Sequence, residues 1–123
     1  MELREMLELA ALAVGYRHVD YSSCDYDGAL GIVLLDENGG QGKNWSPHTD
    51  DGDSRRLAVR LNIVNSSGHR KFTYDEDMWS AWAMKDNGDL YFAVDYSKSS
   101  DDPLVATRMA VLRCAAEIGK SIC

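Results

Sequence analysis

The sequence predicts an α+β fold of α/β/α layers, in which about four mostly antiparallel strands form a sheet and three helices pack on it. Three observations carry this reading. Apolar residues recur at helical spacing near the start, the middle and the end of the chain. Between the second and third of these stripes, two alternating runs flank Asn87-Gly88, the strongest short hairpin signal. One of those runs is apolar on both faces, with Trp79, Ala81 and Ala83 on one side and Trp82 and Met84 on the other, so helices are expected on both faces of the sheet.

The elements follow in order. Over residues 2–14, Leu3, Met6, Leu7, Ala10 and Val14 make one stripe with Glu2, Arg4, Glu5 and Glu8 opposite, and Gly15 suits the residue after the helix. Residues 16–28 are rich in Tyr, Asp and Ser and read as a loop. Residues 29–36 are a continuous apolar, partly β-branched run, expected as a strand buried on both faces. Residues 37–44 carry Gly39, Gly40 and Gly42 and read as a flexible loop.

The loop lands on Trp45, which is expected to pack against the next helix or the sheet edge. Pro47 biases Ser46 toward extended geometry. Thr49, Asp50 or Asp51 caps a helix over about residues 51–62, and the surplus carboxylates there contribute about 0.3–1 kcal/mol each against the helix dipole. Leu57, Ala58 and Leu61 face inward, while Arg55, Arg56 and Arg60 face outward.

After Ile63-Val64, the cluster Asn65-Ser66-Ser67-Gly68 reads as a turn. Strands are expected at 70–74, with Phe72 and Tyr74 on one face, at 78–84, and at 90–96, with Leu90, Phe92, Val94 and Tyr96 on one face. Asp101 or Asp102 caps the last helix, with Pro103 at its first position, where a missing N–H costs nothing. Val105, Met109, Leu112 and Ala116 form its buried stripe, Arg113 and Glu117 pair at i, i+4, and Gly119 marks its end.

A chain of 123 residues fits one domain with a core that needs no staples. Its 20 acids and 13 bases give a net charge of −7, which disfavours binding that depends on neutralising nucleic-acid phosphates. The acids are spread along the chain rather than stacked, which also disfavours mimicry of DNA. No apolar run reaches the roughly 18 residues of a membrane span, and the start lacks the basic-then-apolar order of a signal peptide. Cys24, Cys114 and Cys123 are odd in number and lack motif spacing, so reduced thiols in a cytosolic compartment are expected, with Cys114 a small core residue.

The known chemical motifs are incomplete. Asp25-Tyr26-Asp27-Gly28 supplies the middle of a calcium loop, but Ser23 and Leu34 stand where its first and last oxygen ligands belong. His18, Cys24, His48 and His69 are too scattered for structural zinc. His48 with Asp50 and Asp53 is the set that could hold a divalent cation. There is no nucleophile elbow, and Cys24 meets His18 or His48 only if the fold unites them. Gly39-Gly40-Gln41-Gly42-Lys43-Asn44 exposes backbone N–H groups beside a cation, but it misses the phosphate-loop spacing, and Asn44 replaces the hydroxyl residue. No cofactor is expected, and the reading leans away from an enzyme. The aromatics Trp45, Tyr74, Trp79, Trp82, Tyr91 and Tyr96 serve either the core or a surface for a protein partner.

Trp45-Ser46-Pro47, followed by Asp51-Gly52-Asp53 and Arg56-Leu57-Ala58-Val59-Arg60-Leu61, resembles a pattern of small tailed-phage and prophage proteins. The ending Arg113-Cys114-Ala115-Ala116-Glu117-Ile118-Gly119 is similar to the close of the same proteins, which are grouped as the phage ABA sandwich domain. The likeness covers the first helix, residues 45–62 and residues 104–120, and residues 16–28 have no counterpart. It implies an α/β/α sandwich and a phage or prophage accessory protein of the host cytoplasm, and it implies no activity.

The leading expectation is therefore a module that binds a host or phage protein, with a homodimer also open. The alternative is a binder or hydrolase of a small anionic ligand such as a nucleotide, using the glycine loop with Lys43, Arg55 or Arg56. In either case residues 36–53 are the expected site, namely Gly39, Gly40, Lys43, Trp45, His48, Asp50, Asp51 and Asp53. A glycine-rich loop is costly to order, and functional residues concentrate on loops held by rigid elements.

Overall fold

The structure, a computed structural model, describes residues 2–15, 18–20, 25–26, 29–30, 32–35, 43–69, 77–85, 88 and 90–122. Its framework is three helices, α1 (Leu3–Ala13), α2 (Asp51–Leu61) and α3 (Pro103–Ile122), with a three-stranded antiparallel sheet of β6 (Ile63–His69), β7 (Met78–Lys85) and β8 (Tyr91–Ser97). The fold is α+β. Among the described residues five shorter strands precede α2, and they are β1 (His18–Asp20), β2 (Asp25–Tyr26), β3 (Ala29–Leu30), β4 (Ile32–Leu35) and β5 (Lys43–Trp45).

Helix α3 is the hub and packs on α1, on α2 and on all three strands of the β6-β7-β8 sheet. Met6, Leu7, Ala10 and Ala11 of α1 and Val14 just after it are buried, while Leu3 of the expected stripe is only partly buried against the same core. Gly15 takes φ 89° and its N–H donates to the Leu12 carbonyl at 3.0 Å, which closes the helix as glycine does after a last turn. At the start of α3, Asp102 is the cap. Its Oδ1 accepts from the Leu104 N–H at 2.9 Å, one position beyond Pro103.

Two expectations about α3 need correction. Gly119 does not end the helix, which runs on to Ile122. Gly119 lies where α1 crosses α3, and a Cβ there would stand 1.9 Å from the Leu9 carbonyl oxygen. Val105 is not on the buried stripe but 45% exposed. Leu112, Cys114 and Ala116 are buried as expected, and Ala106, Ala110, Val111, Ala115 and Ile118 are buried with them, so the second half of the helix is enclosed on most sides.

The β7–β8 hairpin forms as expected, from Met78 opposite Ser97 to Met84 opposite Tyr91. Gly88 takes φ 78° and donates to the Lys85 carbonyl at 2.7 Å, which closes the turn. The cluster Asn65–Gly68 is not a turn. It lies inside β6, paired residue by residue with Ala83 to Ser80 of β7, because long-range pairing overrides the weak local preference of polar residues. The strand expected at 70–74 lies outside the described residues.

The strand expected over residues 29–36 is divided. Ala29–Leu30 pairs with β2, whereas Ile32–Leu35 is the middle strand between β1 and β5. Residues 16–28, read as a loop, contain β1 and β2, and the expected loop of residues 37–44 ends in Lys43 and Asn44 of β5. The strands thus form three small sheets among the described residues, not one sheet of about four.

Helix α3 packs on the face of the main sheet that carries Ala81, Ala83 and Tyr96. On the opposite face Trp82 stacks on Tyr91 with centroids 6.3 Å apart, and Tyr91 is 58% exposed.

Candidate functional site

The segment from Trp45 to Arg56 is a tightly bonded helix entrance. The Thr49 and Asp50 N–H groups both donate to the Ser46 carbonyl, at 3.0 and 2.8 Å, which turns the chain into α2. Asp50 is the N-cap, and its Oδ2 accepts from the Asp53 N–H at 2.8 Å. Asp53, 6% exposed, reaches back so that its Oδ2 accepts from the Ser46 N–H at 3.0 Å, while its Oδ1 accepts from Arg56 Nη2 at 2.7 Å. Each carboxylate oxygen that closes the turn thus has a donor, as burial of a charge requires.

Helix α3 holds the same entrance from its other side. Arg108 Nε donates to the His48 carbonyl at 2.9 Å, and Arg108 Nη1 pairs with Asp51. Pro47 and His48 are buried beneath this contact. At the far end of α2, Asn62 takes the left-handed conformation at φ 55°, where asparagine substitutes for glycine.

These bonds place the expected site residues. Trp45, the last residue of β5, is 5% exposed and belongs to the main core together with Leu57 and Ala58 of α2. Asp50, Asp51 and Asp53 are engaged in capping and ion pairs, and His48 lies buried under Arg108. Among the described residues no group of three or more His, Cys, Asp or Glu side chains is placed to hold a metal ion, so His48, Asp50 and Asp53 do not form the cation site that they suggested. Lys43 is in β5, paired with Leu34. Gly39 and Gly40 lie outside the described residues.

Two concavities flank the outward ridge of α2. The larger, of about 780 Å³, opens between α2, the start of β6 and the first half of α3. Its walls include Val59, Val64 and Leu104, which are 66%, 48% and 53% exposed, with Arg55 and Arg108 among its polar groups. The smaller, of about 260 Å³, lies on the other side of α2, between Val14, Trp45 and Leu57, with Arg55, Arg56 and Arg60 around it. Sequence reading put Arg55 and Arg56 in a ligand role, but it missed Val59, Val64, Leu104 and Arg108. The signal for Val59 was present: it is an apolar residue off the Leu57–Ala58–Leu61 face.

Among the described residues, Asp77 and Cys114 depart from their ordinary values. Asp77 is held low, chiefly by the Ser97 hydroxyl and then by Ser99, whose N–H and hydroxyl donate at 2.7 and 3.0 Å. Cys114 is a free thiol, and burial pushes its pKa up, which suits an inert core residue. Cys24 and Cys123 lie outside the described residues. No described helix is long and apolar enough to cross a membrane. No family model, curated protein or solved structure matches the chain.

Proposed function

We propose that the protein is a binding module that docks a protein partner in the cleft between α2, α3 and β6. The observation that carries this reading is the exposure of Val59, Val64 and Leu104 on the walls of one open cleft. Apolar side chains grouped around a concavity, with ionic groups at its rim, are the surface expected of a partner site. The entrance residues named above act as its foundation, because Asp51 and Arg108 tie α2 to α3 and set the width of the cleft. The phage or prophage setting, the host cytoplasm and the sandwich relationship rest on the sequence resemblance.

Placing a photo-crosslinking amino acid at Val59 or Leu104, and separately at exposed Ser99, tests this reading in host cells. One discrete crosslinked species from both cleft positions, missing from Ser99, is the expected result. Crosslinks of equal yield at all three positions would show that the cleft is not the docking site. A product of twice the chain mass would identify the partner as a second copy.

A further inference from the structure

Strand β6 lies at an edge of the main sheet. It pairs with β7 on one side, and among the described residues no strand pairs with its other side. Side chains alternate between the faces of a sheet. Asn65 and Ser67, opposite Ala83 and Ala81, therefore share the face on which α3 packs, while Val64 and Ser66 take the other face. All four are exposed, so the α3 layer stops short of this edge and both faces of β6 meet water there. Unpaired N–H and C=O groups at an edge are a template for another strand, and natural edges are commonly blunted by charge, proline or a bulge. The opposite edge strand, β8, carries Asp95. In a chain that is 27% charged, the run from Asn62 to Gly68 has neither a charge nor a proline, and Ile63 to Gly68 pair with β7 residue by residue, without a bulge.

The same strand forms a wall of the cleft between α2 and α3. Ile63, Val64 and Asn65 line it in succession although their side chains alternate between faces, and no described residue of β7 lines it, so the cleft opens onto the unpaired edge. We propose that the partner docks here as an extended peptide segment that adds a fourth strand beside β6. This rests on the docking role of the cleft and specifies its occupant. Main-chain hydrogen bonds to β6 supply affinity, and alternate side chains of the segment supply specificity. Those on the α3 side enter the cleft against exposed Val59 and Leu104 and are apolar. Charge complementarity adds an acidic residue: Arg108 in the cleft is paired with Asp51, whereas exposed Arg55 has no ion pair among the described residues.

Random decapeptides displayed against the full chain are the probe. The expected binders share apolar residues two positions apart and one Asp or Glu. A synthetic copy of one binder is then N-methylated at one residue at a time. A strand turns every second residue's N–H toward its neighbour, so affinity falls about tenfold at alternate residues and holds at those between. Arg55→Gln leaves the melting temperature unchanged and weakens the acidic peptide about threefold, but not the same peptide with its acid changed to the amide. Equal loss at adjacent N-methyl positions overturns the proposal, as does loss at none of them or a library without binders. A chain that sediments as a dimer with its β6 amides already protected from hydrogen exchange also overturns it, because a second copy then holds the edge. Crosslinks from Val59 and Leu104 to a host protein, without alternation in the N-methyl scan, would leave the cleft as docking site and remove only the added strand.

Discussion

The two halves of α3 have similar apolar content and opposite surroundings. From Ala110 to Gly119 the helix is enclosed by α1 and the sheet, with Ala110, Ala115 and Ala116 fully buried and Gly119 set against the Leu9 backbone. From Leu104 to Val105 the same helix leaves its apolar side chains 53% and 45% exposed. Composition does not separate the halves, but neighbours do. Small side chains let α1 approach the second half closely, whereas the first half is tied to the α2 entrance by Arg108 and borders an open cleft. The enclosed half supplies stability, and the open half supplies surface.

Gly119→Ala is the sharpest way to break that contrast, because it wedges the closed half apart. Replacing a helical glycine by alanine ordinarily gains about 1 kcal/mol. Here the new Cβ meets a backbone carbonyl that cannot turn aside, and overpacking outweighs the gain. The expected outcome is a net loss of about 2 kcal/mol, seen as a fall of about 8 °C in melting temperature. Gly68→Ala, where a Cβ meets nothing within 4 Å, is the control and leaves melting within about 0.5 kcal/mol. If both variants melt alike, the tight crossing is not what holds the closed half.

The next effect lies on the wall of the open half. Asp50→Ala removes the α2 cap and leaves the Asp53 N–H without its acceptor, at a cost of about 1 kcal/mol by denaturant titration. Asp50→Asn keeps an acceptor oxygen and recovers most of that loss. An Asn variant as weak as the Ala variant would mean that charge, and not the cap geometry, matters there.

The contrast also explains what could be read in the sequence. Helices α1 and α2 have one buried face each, so a 3.6-residue stripe identified Met6, Leu7, Ala10, Leu57 and Ala58 directly. Helix α3 is enclosed through its second half, so periodicity could not choose a face, and it put Val105 inside and the helix end at Gly119. Strand β6 is polar because Val64, Asn65, Ser66 and Ser67 are all exposed, and only its pairing with β7 makes it a strand. At the candidate site the acids were legible as caps from local spacing alone. The partner of Asp51 is 57 positions away on α3, and no local pattern announces Arg108. The two concavities follow from that docking and were equally hidden.

Leu104→Asp probes the open half alone. The side chain is already half in water, and an acid in the first turn of α3 is favoured by the helix dipole. Stability should stay within about 0.5 kcal/mol of wild type while partner crosslinking at Val59 disappears. A large loss of stability would show that Leu104 is core, and the contrast between the two halves would fail.

The smallest effect concerns the tether that leads into the open half. Asp77 accepts from the hydroxyl of Ser97 and from the N–H and hydroxyl of Ser99, while Asp101 Oδ2 accepts from the Ser97 N–H at 2.8 Å, just before Asp102 caps α3. These bonds favour the carboxylate, so the folded pKa of Asp77 lies below its ordinary value. The sign follows from linkage: the stabilisation is fully present above the ordinary aspartate range and is lost as pH falls through the lowered folded value. The Ser99 amide resonance should therefore titrate below the ordinary aspartate range, and its hydrogen exchange should quicken there beyond the intrinsic pH trend. In Asp77→Asn that titration step should vanish, while the Cys114 thiol in the closed half stays as protected from a thiol reagent as in wild type. An Asp77→Asn chain whose Cys114 becomes reactive would mean that the tether supports the closed half as well. The two ends of α3 would then open together rather than separately.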